Sequence, residues 1–170
     1  SSFSGTEGTS YIGFRSSKSS RTPTLIFGAN DGMLHVINSE SGEELFTYVP
    51  NSIMGSLSKL TSPFYGCEGA GCIGHNYYVD GPSQSGDAYI NTGNGDAWHT
   101  ILVGSLGAGG QGIFALDLTN AGTFDTSNVL WEISTSHSPV SGELAQFQND
   151  LGYTLAQTSI VRMHNGKWAA

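Results

Sequence analysis

The residues best equipped for chemistry in this chain are two cysteines, five histidines and a loose group of aspartates. Cys67 and Cys72 lie in YGCEGAGCIGH. Structural zinc takes four ligands, most often through CxxC half-sites. The spacing here differs, and His75 alone cannot complete a site. Gly69 and Gly71 make the intervening loop flexible enough to close. The pair reads as a short disulfide, which implies an oxidising compartment; two reduced thiols are the alternative. Asp80, Asp87 and Asp96 are the candidate metal ligands, because hard cations take oxygen donors. Turn formation through local hydrogen bonds is the favoured explanation of these aspartates. Their spacing lacks the alternating pattern of a calcium loop.

His35 alternates with Met33 and Ile37 along one strand face and reads as a hydrogen-bonded structural histidine. His75 and His99 flank strands, and His137 lies in the polar loop STSHSP; with His164 they complete the set. No two histidines stand four apart, so a zincin-like pair is excluded. The chain has no G-x-S-x-G and no RGD. Its glycine-rich LGAGGQG joins two strands, whereas a phosphate cradle leads from a strand into a helix N-terminus. Asn30 and Asp31 read as turn formers. Catalysis is therefore not expected. Phe14, Tyr65, Tyr77, Tyr78 and Tyr89 could be adhesive surface or packed core.

Composition narrows the classes further. Gly is 24 of 170 residues, about twice average usage, and charged residues are 12%. Aromatics at 11% argue against disorder. The net charge is −8, with six basic residues read as scattered singly. Nucleic acid and anionic membranes are poor partners for such a chain. No apolar run reaches the ~20 residues of a membrane helix. The opening SSFSGTEGTS lacks the features of an uncleaved signal peptide, so a mature or excised piece is expected.

The elements that must position these residues are strands. Residues 1–22 read as a Ser/Gly-rich, extended or loosely ordered arm, with Tyr11, Ile12 and Phe14 able to add one edge strand. From Pro23 the pattern sharpens into Thr24–Ala29, a turn at Asn30-Asp31-Gly32, Met33–Asn38, a polar SESG turn and Glu44–Val49. This is a three-stranded meander. It recurs about 80–85 residues later as His99–Ser105, Gly112–Leu118 and Val129–Ile133. GMLHVIN matches GIFALDL, and Leu45-Phe46 matches Leu130-Trp131. A third copy begins at about Thr158. Between the copies, Ser52–Leu60 has weak helical spacing, and Tyr77–Asp80 and Asp87–Ile90 read as two short strands. Units of this kind imply an all-β, partial β-propeller with quinoprotein-like blades. At ~40–50 residues per blade, residues 23–170 hold about two blades and the start of a third. A disulfide-loop insertion interrupts them near 64–76. A fragment of a larger propeller is expected.

The stretches GANDGMLHVINSESGEELFTYVP, HNYYVDG, WHTILVGSLGAGGQGIFALDLT, LWE and DLGYTLAQTSIVRMHNGKWAA resemble the PilY-type tip-associated adhesins of type IV pili, including neisserial PilC. The similarity runs from about Thr24 to Ala170. It implies a segment of a modified seven-bladed propeller, exported to the pilus tip or outer surface. It also implies roles in pilus biogenesis and in attachment to host or abiotic surfaces. The implied partners are the rest of the propeller and minor pilins or the pilus tip. The family carries a calcium loop, which is not found in these residues, so no cofactor is expected within this chain. Two alternatives stand beside this reading: a quinoprotein-like dehydrogenase fragment, which lacks the adjacent cysteines of that class, and a small self-assembling extracellular propeller or filament subunit.

Overall fold

The computed structural model describes residues 5–135 and 143–170. Three layers stack one upon the next. The first is an antiparallel sheet of β1 (Thr24–Gly28), β2 (Leu34–Asn38) and β3 (Glu44–Tyr48) in that order. The second has four antiparallel strands, β4 (Ser83–Asn91), β5 (Asp96–Ser105), β6 (Gly112–Asp117) and β7 (Val129–Ser134). The third is a short hairpin of β8 (Val161–Arg162) and β9 (Trp168–Ala169). Helix α1 (Gly5–Ser17) precedes the strands, and α2 (Glu143–Asp150) lies between β7 and β8.

Turn chemistry fixes the first meander. Gly32 closes the β1–β2 turn at φ +94°, a conformation that costs glycine little and other residues much. Asp31 accepts the Met33 amide there. In the next turn the Asn38 side chain accepts the Glu40 and Ser41 amides. Both predicted meanders fold as antiparallel strands, and each carries a register shift between its last two strands. The β2–β3 ladder shifts register at Val36/Ile37 and the β6–β7 ladder at Ala115/Leu116.

Alternation divides each strand between two interfaces. Leu102, Phe114 and Leu116 face the first sheet and bury against Leu34, with Ile26 and Phe46 beside them. Ile101, Val103 and Ala115 face the other way, against Ile160 and Trp168 of the third layer. The middle sheet is thus covered on both faces, which explains the uninterrupted apolar run of β5. In the first sheet, by contrast, Leu25 (53% exposed) and Phe27 (41%) point away from the core.

Three expectations change. The proposed arm of residues 1–22 is largely helix α1 rather than extended chain. Its sequence has poor intrinsic propensity, but Glu7, Tyr11 and Phe14 fall on one helical face and dock on the β-sheet. The Tyr11 and Trp98 ring centroids are 4.3 Å apart. The segment Tyr77–Asp80 is not a strand. It threads between the sheets, with the Val79 amide donating to the Ala29 carbonyl and the Asp80 amide to that of Leu106. Its backbone is satisfied by both layers, so it joins neither ladder. The short strand Asp87–Ile90 is the second half of the nine-residue β4, whose polar start pairs along β5. The weak helical spacing at 52–60 corresponds to a 3₁₀ helix, Asn51–Thr61. His137 lies outside the described residues.

Candidate functional site

The polar residues of the molecule gather at the layer boundaries. Glu132 on β7 reaches the first sheet: its carboxylate accepts from Tyr48 Oη at 2.8 Å, from the Asn51 amide at 2.9 Å and from the Ser52 amide at 2.9 Å. Two of these donors open the 3₁₀ helix and have no partner within it. Burial, then the Glu132 charge and hydrogen bond, push the Tyr48 hydroxyl far above the ordinary tyrosine range. It therefore stays a proton donor at any physiological pH.

A second network binds α1 to the other layers. Glu7 is buried. Its carboxylate pairs with Arg162 at 2.7 Å and accepts from Trp168 Nε1 at 3.0 Å. Burial alone would raise its pKa, but the Arg162 and Trp168 hydrogen bonds and the Arg162 charge outweigh that and hold it low. Asp87 accepts from Tyr11 Oη at 3.0 Å and Thr100 Oγ1 at 2.7 Å. Thr100 Oγ1 in turn accepts from Arg21 Nη1 at 2.8 Å.

His35 sits between two carboxylates on the outer face of the first sheet. Its Nε2 is 2.9 Å from Asp31 and its Nδ1 2.8 Å from Glu44, while Phe27 stacks on the ring. With an acceptor at each nitrogen, the imidazolium is the favoured form. The Glu44 hydrogen bond, opposed by burial and aided by Asp31, raises its pKa. His99 pairs with Asp117 at 2.6 Å, and the Thr119 amide and hydroxyl bond the other oxygen of that carboxylate. Both histidines serve local structure, as the strand alternation suggested for His35.

The structure disperses the three candidate metal ligands. Asp80 precedes β4, Asp87 lies mid-strand opposite Thr100, and Asp96 starts β5 opposite Asn91. Four residues of strand separate the Asp87 and Asp96 positions along the ladder, about 13 Å. Among the described residues no three His, Cys, Asp or Glu side chains gather to hold a metal. Asp87 is instead enclosed by Tyr11, Thr100 and neighbouring cations, an environment opposed to a second positive charge. The described residues around Asp87 thus do not fit a calcium site. Cys67 and Cys72 do form a disulfide, with Cα atoms 5.4 Å apart.

Of the aromatics, Tyr78 is buried in the core, whereas Tyr77 is 52% exposed. The sequence reading missed two features. Asn30 does more than turn the chain: its side-chain oxygen accepts the Tyr78 amide. Arg15, Lys18 and Arg21 are not scattered, since they line one cavity. Their three-residue steps were the available signal.

This arrangement of stacked antiparallel units with structural polar clamps is that of a propeller, and comparison assigns it. The family model described as the PilY1 beta-propeller domain matches residues 4–170. The chain belongs to this family. It is 40% identical over 163 residues to a type IV pilus biogenesis factor PilY1 homolog of Xylella fastidiosa, covering 95% of this chain and 10% of that protein. It is also 40% identical over 161 residues to the type IV pilus biogenesis factor PilY1 of Pseudomonas aeruginosa PAO1, covering 94% and 12% respectively. The crystal structure of the P. aeruginosa PilY1 C-terminal domain superposes with a TM-score of 0.63 at 35% identity. That match covers 93% of this chain and 26% of the crystallised one. The chain therefore spans about a tenth of the length of these PilY1 relatives. Among the described residues no helix is long and apolar enough to cross a membrane.

Proposed function

We propose that this chain is a non-catalytic segment of the propeller of a type IV pilus tip-associated adhesin. It acts in pilus biogenesis and in attachment to host or abiotic surfaces, outside the cell. The observation that carries this is the match to the PilY1 propeller over residues 4–170, joined by 40% identity to named pilus biogenesis factors across 94% of the chain. The structure supports a scaffold role, because its ionised side chains bind layers together: Glu132 joins the second to the first and Glu7 joins α1 to the third. The exposed Leu25 and Phe27 face has the character of a further inter-blade surface, which fits packing against the remainder of the same propeller. Minor pilins at the tip are the partners this role implies.

The test is in the bacterium that carries the protein. Val103 is 1% exposed within the second apolar layer, so Val103→Asp in the intact protein places an unpaired charge in the core. Surface pili and attached cells should then fall to the level of a gene deletion. A deletion strain with normal pilus number and normal attachment overturns the proposal.

A further inference from the structure

The chain has six basic residues against fourteen acidic ones, yet three of the six converge. Arg15 and Lys18 belong to the last turn of α1 and its exit, and Arg21 follows three residues later. All three line a cavity of about 190 Å³ together with Phe14, Asp87 and Thr100. Arg21 and Thr100 also line an adjoining cavity of about 250 Å³, whose lining includes the hydroxyl residues Thr22, Thr24 and Ser85. Arg15 and Arg21 are exposed, so the space is reachable from solvent.

None of the three is ion-paired among the described residues. Among the described residues, the ion pairs are those of His35 with Asp31 and Glu44, His99 with Asp117, and Arg162 with Glu7. Lys18 and Arg21 are held by neutral groups instead. Lys18 Nζ donates to Asn120 Oδ1 at 2.7 Å and Arg21 Nη1 to Thr100 Oγ1 at 2.8 Å. These bonds fix the cationic heads while leaving donors for an anion, and charge-assisted bonds are the strong ones. Asp87 is the carboxylate facing the cavity, and both its oxygens already accept from Tyr11 and Thr100. It sets the end of the cavity that an anion avoids.

We infer that these two adjoining cavities form a binding site for a small anionic saccharide, with Arg15, Lys18 and Arg21 taking its carboxylate or phosphate and the hydroxyls of Thr22, Thr24 and Ser85 taking its sugar ring. The guanidinium fork suits either anion. The larger cavity lies just below the usual ~300 Å³ floor for ligand pockets, which suits one sugar unit and not an extended chain. The cations and hydroxyls would recognise this chemistry whether or not the protein works at a pilus.

Calorimetric titration of the intact protein decides it, with glucuronate, glucose 6-phosphate, neutral glucose and inorganic phosphate as probes. At least one acidic sugar should bind ten-fold or more tighter than glucose and than inorganic phosphate, and raised salt should weaken it. Preference for glucuronate assigns a carboxylate ligand, and preference for glucose 6-phosphate a phosphate ester. Arg15→Gln removes a charge without breaking a described hydrogen bond. It should weaken binding about ten-fold with an unchanged melting temperature. Binding that is absent, indifferent to the sugar's charge, matched by inorganic phosphate alone, or unmoved by Arg15→Gln overturns the inference.

Discussion

Replacing Glu132 by glutamine should loosen the joint between the first two layers while leaving shape intact. The carboxylate takes three donors within 2.9 Å, Tyr48 Oη and the Asn51 and Ser52 amides. An amide offers one oxygen. Turned to keep Tyr48 and Asn51 on that oxygen, it presents its NH₂ to the Ser52 N–H, and that donor is left unmatched. The two retained bonds lose their ionic partner. A hydrogen bond to a charged group is worth roughly 1.5–3 kcal/mol against ~1 for a neutral one, and an orphaned donor costs about 1–3. The sum is about 2–7 kcal/mol. The loss should be local, so the assay is amide hydrogen exchange of residues 48–61 in the intact protein. With tenfold per 1.4 kcal/mol, protection there should fall roughly 30-fold or more. Tyr48→Phe should fall less, and the double variant should fall short of the sum of the two, because both act on one bond. Exposed Glu40→Gln serves as the control. Exchange at 48–61 within twofold of wild type in Glu132→Gln would refute the clamp.

His35 should make the first sheet more stable in acid than in base. Its folded pKa is raised by Glu44, with Asp31 assisting, so its contribution is complete below the unfolded value near ~6.5 and disappears as pH rises through the folded value. Exchange of β2 in wild type and His35→Gln should differ at pH 5.5 and converge at pH 9. The gap should stay under about 1 kcal/mol because both carboxylates are about half exposed, and a gap independent of pH refutes the account. Gly109→Ala should destabilise by about 1–3 kcal/mol, since its new Cβ would meet the Tyr78 carbonyl. Gly122→Ala, which meets nothing within 4 Å, is the neutral comparison, and equal melting temperatures would show that the backbones do not pack as described.

What the sequence made legible follows from which forces are local. Strands β1–β3 and β5–β7 announced themselves because alternation and Asn-Asp-Gly turn chemistry are written in neighbouring residues. The disulfide was legible because its loop is short. The segment Tyr77–Asp80 was misread because its apolar residues look like a strand, while its hydrogen-bond partners, Ala29 and Leu106, lie far off in sequence. Helix α1 was hidden because Gly, Ser and Thr dominate it and only Glu7, Tyr11 and Phe14 mark its buried face. Glu132 stood in the recognised LWE stretch, but its role depends on donors some eighty residues earlier. The basic group escaped notice since a residue count shows six cations and a structure shows where three of them meet.

Helix α1 also alters how the layers cooperate. Stacked units normally couple only to their neighbours, so stability accumulates interface by interface. Here a helix with little stability of its own touches both later layers at once. Trp98 of the middle sheet donates to the Glu7 carbonyl at 3.2 Å, while Arg162 and Trp168 of the third bond the Glu7 carboxylate. The two-residue strands β8 and β9 are too short to hold as an isolated hairpin. Their attachment rests on Ile160 and Trp168 against the middle sheet and on this carboxylate. Because Glu7 is held below its ordinary pKa in the fold, its contribution is present above the unfolded carboxylate range and is lost as pH falls through the folded value. The first sheet and the third layer thus respond to acid in opposite senses, the one through an imidazolium and the other through a carboxylate.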